Sequence, residues 1–214
     1  RETMEQLGDT YTIFHAISPS ELNIVDYMAM SSTYIPYRNP GIFNRPTRLP
    51  VGLSFFMCYY DAFINGYDTI LILEDDVQFM ISPEQLTQTV REWKDAPCEI
   101  MYLGYCHMNC SKSKYEPISQ NVYGIKSRSR VVCNHAIMLK KSLLQKYFKN
   151  FTFLYMTKQN DNILDQFLRS NDIYRCVPPR GYVNQNVPML GSNNQNKNDN
   201  LHTCHVSTNT RLSG

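Results

Sequence analysis

Between Asp68 and Leu73 the chain reads Asp-Thr-Ile-Leu-Ile-Leu, and it then breaks into three consecutive carboxylates, Glu74-Asp75-Asp76. A short apolar run without polar alternation predicts a strand buried on both faces, the kind found at the centre of a parallel sheet covered by helices. Three adjacent carboxylates repel one another unless a cation or hydrogen-bond donors offset the repulsion. The strand must therefore end at a surface that such partners can reach. In open α/β sheets that surface is the carboxyl edge of the strands, where ligands bind. A plain solvated acidic turn is the competing reading.

The flanking segments supply the layers such a strand needs. Val51 to Gly66 is long and apolar, which predicts a buried helix with Gly66 as its C-cap. Pro83 to Trp93 carries Leu86, Val90 and Trp93 on one side, with Ser82 as N-cap and Pro83 at the first helical position. Glu99 to Leu103, Val131 to Leu139 and Ile173 to Val177 read as strands, the last stopped by Pro178-Pro179. Lys141 to Phe148 and Asn160 to Leu168 read as helices, and Asn109 to Glu116 as polar loop. Upstream, Glu2 to Leu7 reads as a short helix and Tyr11 to Ile17 as a strand. Pro19, Pro36, Pro40, Pro46 and Pro50 punctuate the segment from Ser18 to Pro50. From Asn184 onward the chain is Asn-rich and polar, a tail without a core of its own. Strands alternate with helices and no internal repeat occurs. This order predicts an α/β fold with a mainly parallel central sheet flanked by helices.

The 214 residues suit one domain. We divide it into a segment 1–104 ending with the acidic strand's neighbours, a segment 105–183, and the tail 184–214. A net charge of +2, with no long basic or acidic run, gives no electrostatic footprint for nucleic acid or a membrane surface. No stretch reaches the roughly 18 apolar residues of a membrane span. Seven cysteines, an odd number at irregular spacing with no CxxC pair, predict reduced thiols in a cytoplasmic setting. Two short glycosylation sequons begin at Asn109 and Asn150.

Hard divalent cations such as Mn²⁺ or Mg²⁺ take one or two carboxylates plus substrate phosphates. That chemistry offsets the charge of a diphosphate leaving group. The residues around the triplet sharpen this reading. Val51-Gly52-Leu53-Ser54, then Asn65-Gly66-Tyr67-Asp68, then Ile70 to Val77 follow in one order. Glu99 to Gly104, His135 to Ser142, Asn160 to Leu164, and Val177-Pro178 with Gln185 and Ser192 continue it. This ordered set, covering roughly Arg1 to Gln195, resembles the lipopolysaccharide and procollagen glycosyltransferases of glycosyltransferase family 25. Phe55 stands where that family usually has a His after the helix Ser. Arg1 to Ile17 resembles the part just after the family's first nucleotide-binding strand. Similar small enzymes occur in large algal viruses, which would place the chain in a host cytoplasm.

The resemblance implies a GT-A fold, a UDP-sugar donor, Mn²⁺ or Mg²⁺, inversion at the anomeric carbon, and a glycan or glycoprotein acceptor. It implies Asp76 as metal ligand, with Glu74 and Asp75 on the ribose and sugar side of the donor or orienting the groups around the metal. It also raises His205 and His202 in the tail as metal ligands, His205 preferred, against the reading of two exposed tail histidines. Asp161 is the candidate base for the acceptor hydroxyl and equally a helix cap, and Asp165, one turn on, competes with it. Arg38 and Arg48, with Gln185, are candidate donor contacts. Ordinary loop packing is the alternative for these arginines and for Tyr34, Tyr37 and Arg45. Trp93 reads as core, and His15, His107 and His135 as structural or without an assignable role. Two other function classes compete. One is a carbohydrate-binding or partner module that keeps the fold without the chemistry. The other is a nucleotidyltransferase or phosphohydrolase, whose usual Gly-rich phosphate loop or further Asp/His clusters are not found.

Overall fold

The computed structural model describes residues 11–18, 48–106, 115–125, 131–150 and 160–185. The expected helix at Glu2 to Leu7, most of the proline-punctuated segment and the tail beyond Gln185 lie outside them. Residues 11–18 form no strand, contrary to the expectation for Tyr11 to Ile17. Their side chains are largely exposed, so β-branched composition finds no partner strand there. Instead the Ile17 N–H donates to Ser54 Oγ at 2.9 Å.

Helix α1 (Arg48–Asn65) ends as its sequence predicts. Gly66 takes a φ of 69°, a conformation that costs a residue with a Cβ dearly. The Gly66 N–H donates to Phe63 O and the Tyr67 N–H to Ala62 O, which satisfies the last carbonyls in a Schellman arrangement. Strand β1 (Thr69–Leu73) follows, then β2 (Val77–Phe79). Helix α2 (Pro83–Asp95) starts under Ser82, whose hydroxyl accepts from Gln85 N, with Pro83 in the first turn. Then come β3 (Ile100–Cys106), β4 (Tyr115–Pro117), β5 (Tyr123–Ile125) and β6 (Val132–Lys140). Helices α3 (Lys141–Lys149) and α4 (Asn160–Ser170) precede β7 (Arg175–Val177) and β8 (Val183–Gln185).

The fold is mixed α/β, but the sheet corrects the parallel expectation. Six strands run in the order β1-β6-β3-β7-β5-β4, and β2 pairs with β8 in a second, two-stranded sheet. Among the described residues only β3 and β7 pair in parallel; every other ladder is antiparallel. Strand–helix alternation constrains how elements follow one another, not where each strand inserts. β6 follows the β4–β5 hairpin and enters between β1 and β3 in the reverse sense. Strands β1, β3 and β7 still share one direction. β1 is the outermost strand of this described sheet and is half-buried along its length, so its apolar run does not mark the sheet's centre. β3 and β6 occupy that role. The proposed segments 1–104 and 105–183 interleave in one sheet, because β6 pairs on both sides with strands of the first. The tail boundary also shifts, since Asn184 and Gln185 belong to β8.

Alternate residues of β3 and β6 feed two cores. Ile100, Tyr102, Ile137 and Leu139 pack with α1, α3 and α4 through Tyr59, Leu143, Tyr147 and Phe167. Met101, Leu103, Ala136 and Met138 pack with α2 through Leu86 and Trp93 and with Tyr182 and Val183. The sheet is therefore covered on both faces, and period-two alternation divides its side chains between the two layers. Trp93 is fully buried, as expected. Cys98 and Cys176 form a disulfide with Cα atoms 5.8 Å apart, closing a separation of 78 residues. This corrects the expectation of reduced thiols for that pair: two strands adjacent in space place cysteines that sequence spacing does not relate. Cys58 is a free cysteine. No helix of the described residues is long and apolar enough to cross a membrane.

Candidate functional site

The β1–β6 ladder runs from Thr69–Lys140 to Leu73–Ala136. It gains one more bond where the Glu74 N–H donates to His135 O at 2.9 Å. Asp75 and Asp76 then form the turn into β2. Asp75 is exposed, whereas Glu74 and Asp76 are half-buried. Val77, next in the chain, pairs with Gln185 across the β2–β8 ladder. The backbone thus brings the acidic turn beside the strand that carries Gln185. For Gln185 and Arg48 only the backbone falls within the described residues. Arg38, His202 and His205 lie outside them.

Two buried polar residues of β6, one of them bonded through its carbonyl to Glu74, were missed. His135, read from sequence as structural or without an assignable role, is 2% exposed and Asn134 is 3% exposed. The imidazole lies against the backbone of Gly104. A Cβ at that position would fall 2.8 Å from Val183 O and closer still to the imidazole Nε2 and Cδ2. Gly104 is therefore required for the ring to occupy its place, which gives a physical meaning to the Leu-Gly that ends the run Glu99 to Gly104. Nε2 is 3.3 Å from Val183 O. Among the described residues, Nδ1 of His135 and both amide atoms of Asn134 have no hydrogen-bond partner. Burial lowers the His135 pKa, while the bond to Val183 O and the charge of Asp76 oppose that shift. The Asp76 carboxylate is thus electrostatically coupled to the ring. A signal for this pair existed in the sequence: Asn134-His135 is a polar dyad inside the otherwise apolar run from Val131 to Leu139.

Asp165 has a different environment. Its carboxylate is 1% exposed, bonds Arg169 Nε at 2.9 Å and Arg175 Nη1 at 3.3 Å, and accepts from Val131 N at 3.4 Å. Its oxygens are committed to the scaffold that ties α4 to β7 and to the entry of β6. Asp161 lies in the first turn of α4, with its side chain outside the described residues.

The acidic turn offers oxygen donors only, the type that hard cations prefer, and one or two carboxylates suffice where phosphates and water complete the shell. Among the described residues no three His, Cys, Asp or Glu side chains form a ready-made metal cage. Comparison with protein-family models and with curated proteins finds no match to this chain.

Proposed function

We propose that this chain is a glycosyltransferase of the GT-A type that moves a sugar from a UDP-sugar to a hydroxyl of a glycan or glycoprotein, with inversion. The observation that carries the reading is the acidic turn Glu74-Asp75-Asp76 at the carboxyl end of β1, whose first residue bonds through its N–H to the carbonyl of the buried His135. Strands β1, β3 and β7 sharing one direction, with helices on both faces, support an α/β scaffold that presents strand ends to a ligand.

In this reading Asp76 would hold Mn²⁺ or Mg²⁺, which when bound offsets the negative charge that develops on the diphosphate. Glu74 and Asp75 accept hydrogen bonds from donor hydroxyls. The acceptor oxygen attacks the anomeric carbon from the face opposite the diphosphate, and the bond between that carbon and the diphosphate oxygen breaks. The acceptor's proton passes to a carboxylate, for which Asp161 is the candidate. Asp165 is unsuited to that task because two arginines and a backbone N–H occupy its oxygens.

Asp76→Ala tests the reading. Mn²⁺-dependent release of UDP should fall by at least about a hundredfold, the scale of losing a charge-stabilising group, while the melting temperature holds. Near-normal turnover in the variant overturns Asp76 as the metal-holding residue.

A further inference from the structure

We propose that Asn150 is an N-glycosylation site, and that this chain matures in an oxidising compartment that holds the glycosylating machinery. The proposal stands apart from the transferase reading and uses neither the acidic turn nor a nucleotide sugar.

Two observations on different parts of the molecule converge on it. The first is the Cys98–Cys176 bridge, whose Cα atoms are 5.8 Å apart, the ordinary spacing for a disulfide. Such bridges persist in secretory and extracellular compartments. In a reducing cytosol they are rare, and those that form are transient, catalytic or redox-sensing. A bridge of that kind must be reached by other thiols. Neither sulfur here can be reached: Cys98 and Cys176 are both 0% exposed and lie in the core layer with Trp93, Met101 and Tyr182. The bridge is therefore structural. Its formation removes two electrons and two protons from the thiols, which a thiol–disulfide oxidant of the same compartment takes up. Intracellular proteins of hyperthermophiles are the other known setting for such bridges. Seven cysteines and ten methionines argue against that setting, because those proteins are poor in thermolabile residues. Cys58, a free cysteine, suits an oxidising compartment as well. Burial, with the charge of Asp61, pushes its thiol up to about 11, which leaves little thiolate to be oxidised or exchanged.

The second observation is the helix end that presents Asn150. The run Asn150-Phe151-Thr152 meets the acceptor rule, with a residue other than proline between Asn and Thr. Such a motif arises often by chance, so placement decides. Asn150 is the C-cap of α3, with φ −106° and ψ 9°, and the helix stops at it. The residue is exposed, so a bulky sugar on it displaces no core side chain. Its Nδ2 donates to Lys146 O at 2.9 Å. An amide nitrogen carries two hydrogens. That bond uses one, and the other can be replaced, so the cap survives modification. The second sequon, at Asn109, lies outside the described residues and is not part of the proposal.

The transfer needs no redox step. The donor is an oligosaccharide joined through a diphosphate to a polyprenyl lipid, held by a membrane-bound transferase. Asn150 Nδ2 forms a bond to the anomeric carbon of the reducing-end sugar as the bond from that carbon to the diphosphate oxygen breaks. The lipid diphosphate leaves with the electron pair, and Nδ2 gives up one hydrogen as a proton to a base of the transferase.

The experiment takes the full-length protein from the cells that produce it. Cysteines are alkylated in denaturant before and after reduction. Peptide N-glycosidase in heavy-oxygen water then converts each glycosylated Asn to a labelled Asp, read by mass spectrometry. We expect the label at position 150 in most molecules, and alkylation of Cys98 and Cys176 only after reduction. Thr152→Ala keeps Asn150 itself and should abolish the label there, whereas Thr152→Ser should retain it. An unlabelled Asn150 in wild type overturns the modification site. Alkylation of Cys98 and Cys176 without reduction overturns the oxidising compartment. A label that persists in Thr152→Ala traces to spontaneous deamidation and overturns the site too.

Discussion

Two buried polar groupings sit on the same sheet with opposite economies. Around Asp165, both carboxylate oxygens meet donors: Arg169 and Val131 N–H in addition to Arg175, itself only 2% exposed. Around His135 and Asn134, three buried atoms meet none among the described residues. Both groupings displace apolar packing, and neither is what hydrophobic burial alone would select. The difference lies in the acceptors: both Asp165 oxygens are met, and in that grouping Arg175 Nε is the atom buried without a hydrogen-bond partner among the described residues. A satisfied network fixes elements to one another and leaves nothing to offer a ligand. An unsatisfied one weakens the free protein and becomes favourable when a ligand supplies the missing partners. Charge alone does not separate the two, since the sequence presents Asp165 as a competitor of Asp161 for the acceptor base.

Breaking the Asp165 network should give the largest effect. Asp165→Asn removes the charge facing Arg175, which then stays buried without its counter-ion. Losing one partner of a buried pair costs roughly 3–5 kcal/mol, read as a drop in urea-unfolding free energy. Replacing both partners, Asp165→Leu with Arg175→Met, should recover most of that loss. If Asp165→Asn unfolds like wild type, the pair does not anchor α4 to β7, and the contrast between the two regions collapses.

Gly104→Ala attacks the open grouping instead. Its new methyl meets the His135 ring, and also Val183 O at 2.8 Å, where backbone has little freedom to yield. We expect a loss of about 1–3 kcal/mol, the usual range for overpacking, together with loss of Mn²⁺-dependent UDP-sugar binding. Adding His135→Ala should restore part of the stability, because it vacates the ring's space but leaves the contact with Val183 O, and should leave binding impaired. That non-additivity is the signature of two residues in contact. Recovery of both properties in the double variant would assign His135 no part in ligand binding.

The limits of the sequence follow from the same physics. Helices α1 and α2 were legible because their ends carry local chemistry, Gly66 with φ 69° and Ser82 bonding Gln85 N. Strands β1, β3, β6 and β7 were legible from apolar runs, whereas the three-residue strands β2, β4, β5 and β8 are too short to carry such a run. Strand order was not, because nothing local in Val132 to Lys140 says that it will reverse between β1 and β3. The Cys98–Cys176 disulfide was hidden for the same reason, both residues being placed by a β3–β7 neighbourhood 78 residues apart in sequence. The acidic turn was legible because three carboxylates in a row carry their own warning. The Asn134-His135 pair was visible as a polar interruption, but its meaning depends on Gly104 and Val183, which only the folded sheet brings beside it.

The smallest effect tests whether a fully met acceptor without burial also stabilises. Glu92 on α2 accepts from Ser119 Oγ, from Asn121 N–H at 2.9 Å and from Asn121 Nδ2 at 2.7 Å. Gln88 on the same helix adds a fourth bond at 3.0 Å. It is thus as fully bonded as Asp165 but reachable by water. Partial burial pushes its pKa up, yet the bonds from Ser119, Gln88 and Asn121 outweigh that and hold it below its ordinary 4.5. A carboxylate whose folded pKa is depressed contributes stability above the unfolded value, and that stability is lost as pH falls through 4.5 toward the folded value. Water and salt screen the interaction, so its worth at pH 7 is about 0.5–1 kcal/mol rather than the several kcal/mol of a buried pair. Wild type should therefore exceed Glu92→Gln in unfolding free energy at pH 7, with the gap narrowing as pH falls below 4.5. A gap that persists unchanged at pH 3 would mean that the carboxylate's shape, which Gln shares only in part, matters rather than its charge. A gap at pH 7 as large as that of Asp165→Asn would mean that partner number outweighs burial, and the contrast between the two buried groupings would then rest on hydrogen-bond count alone.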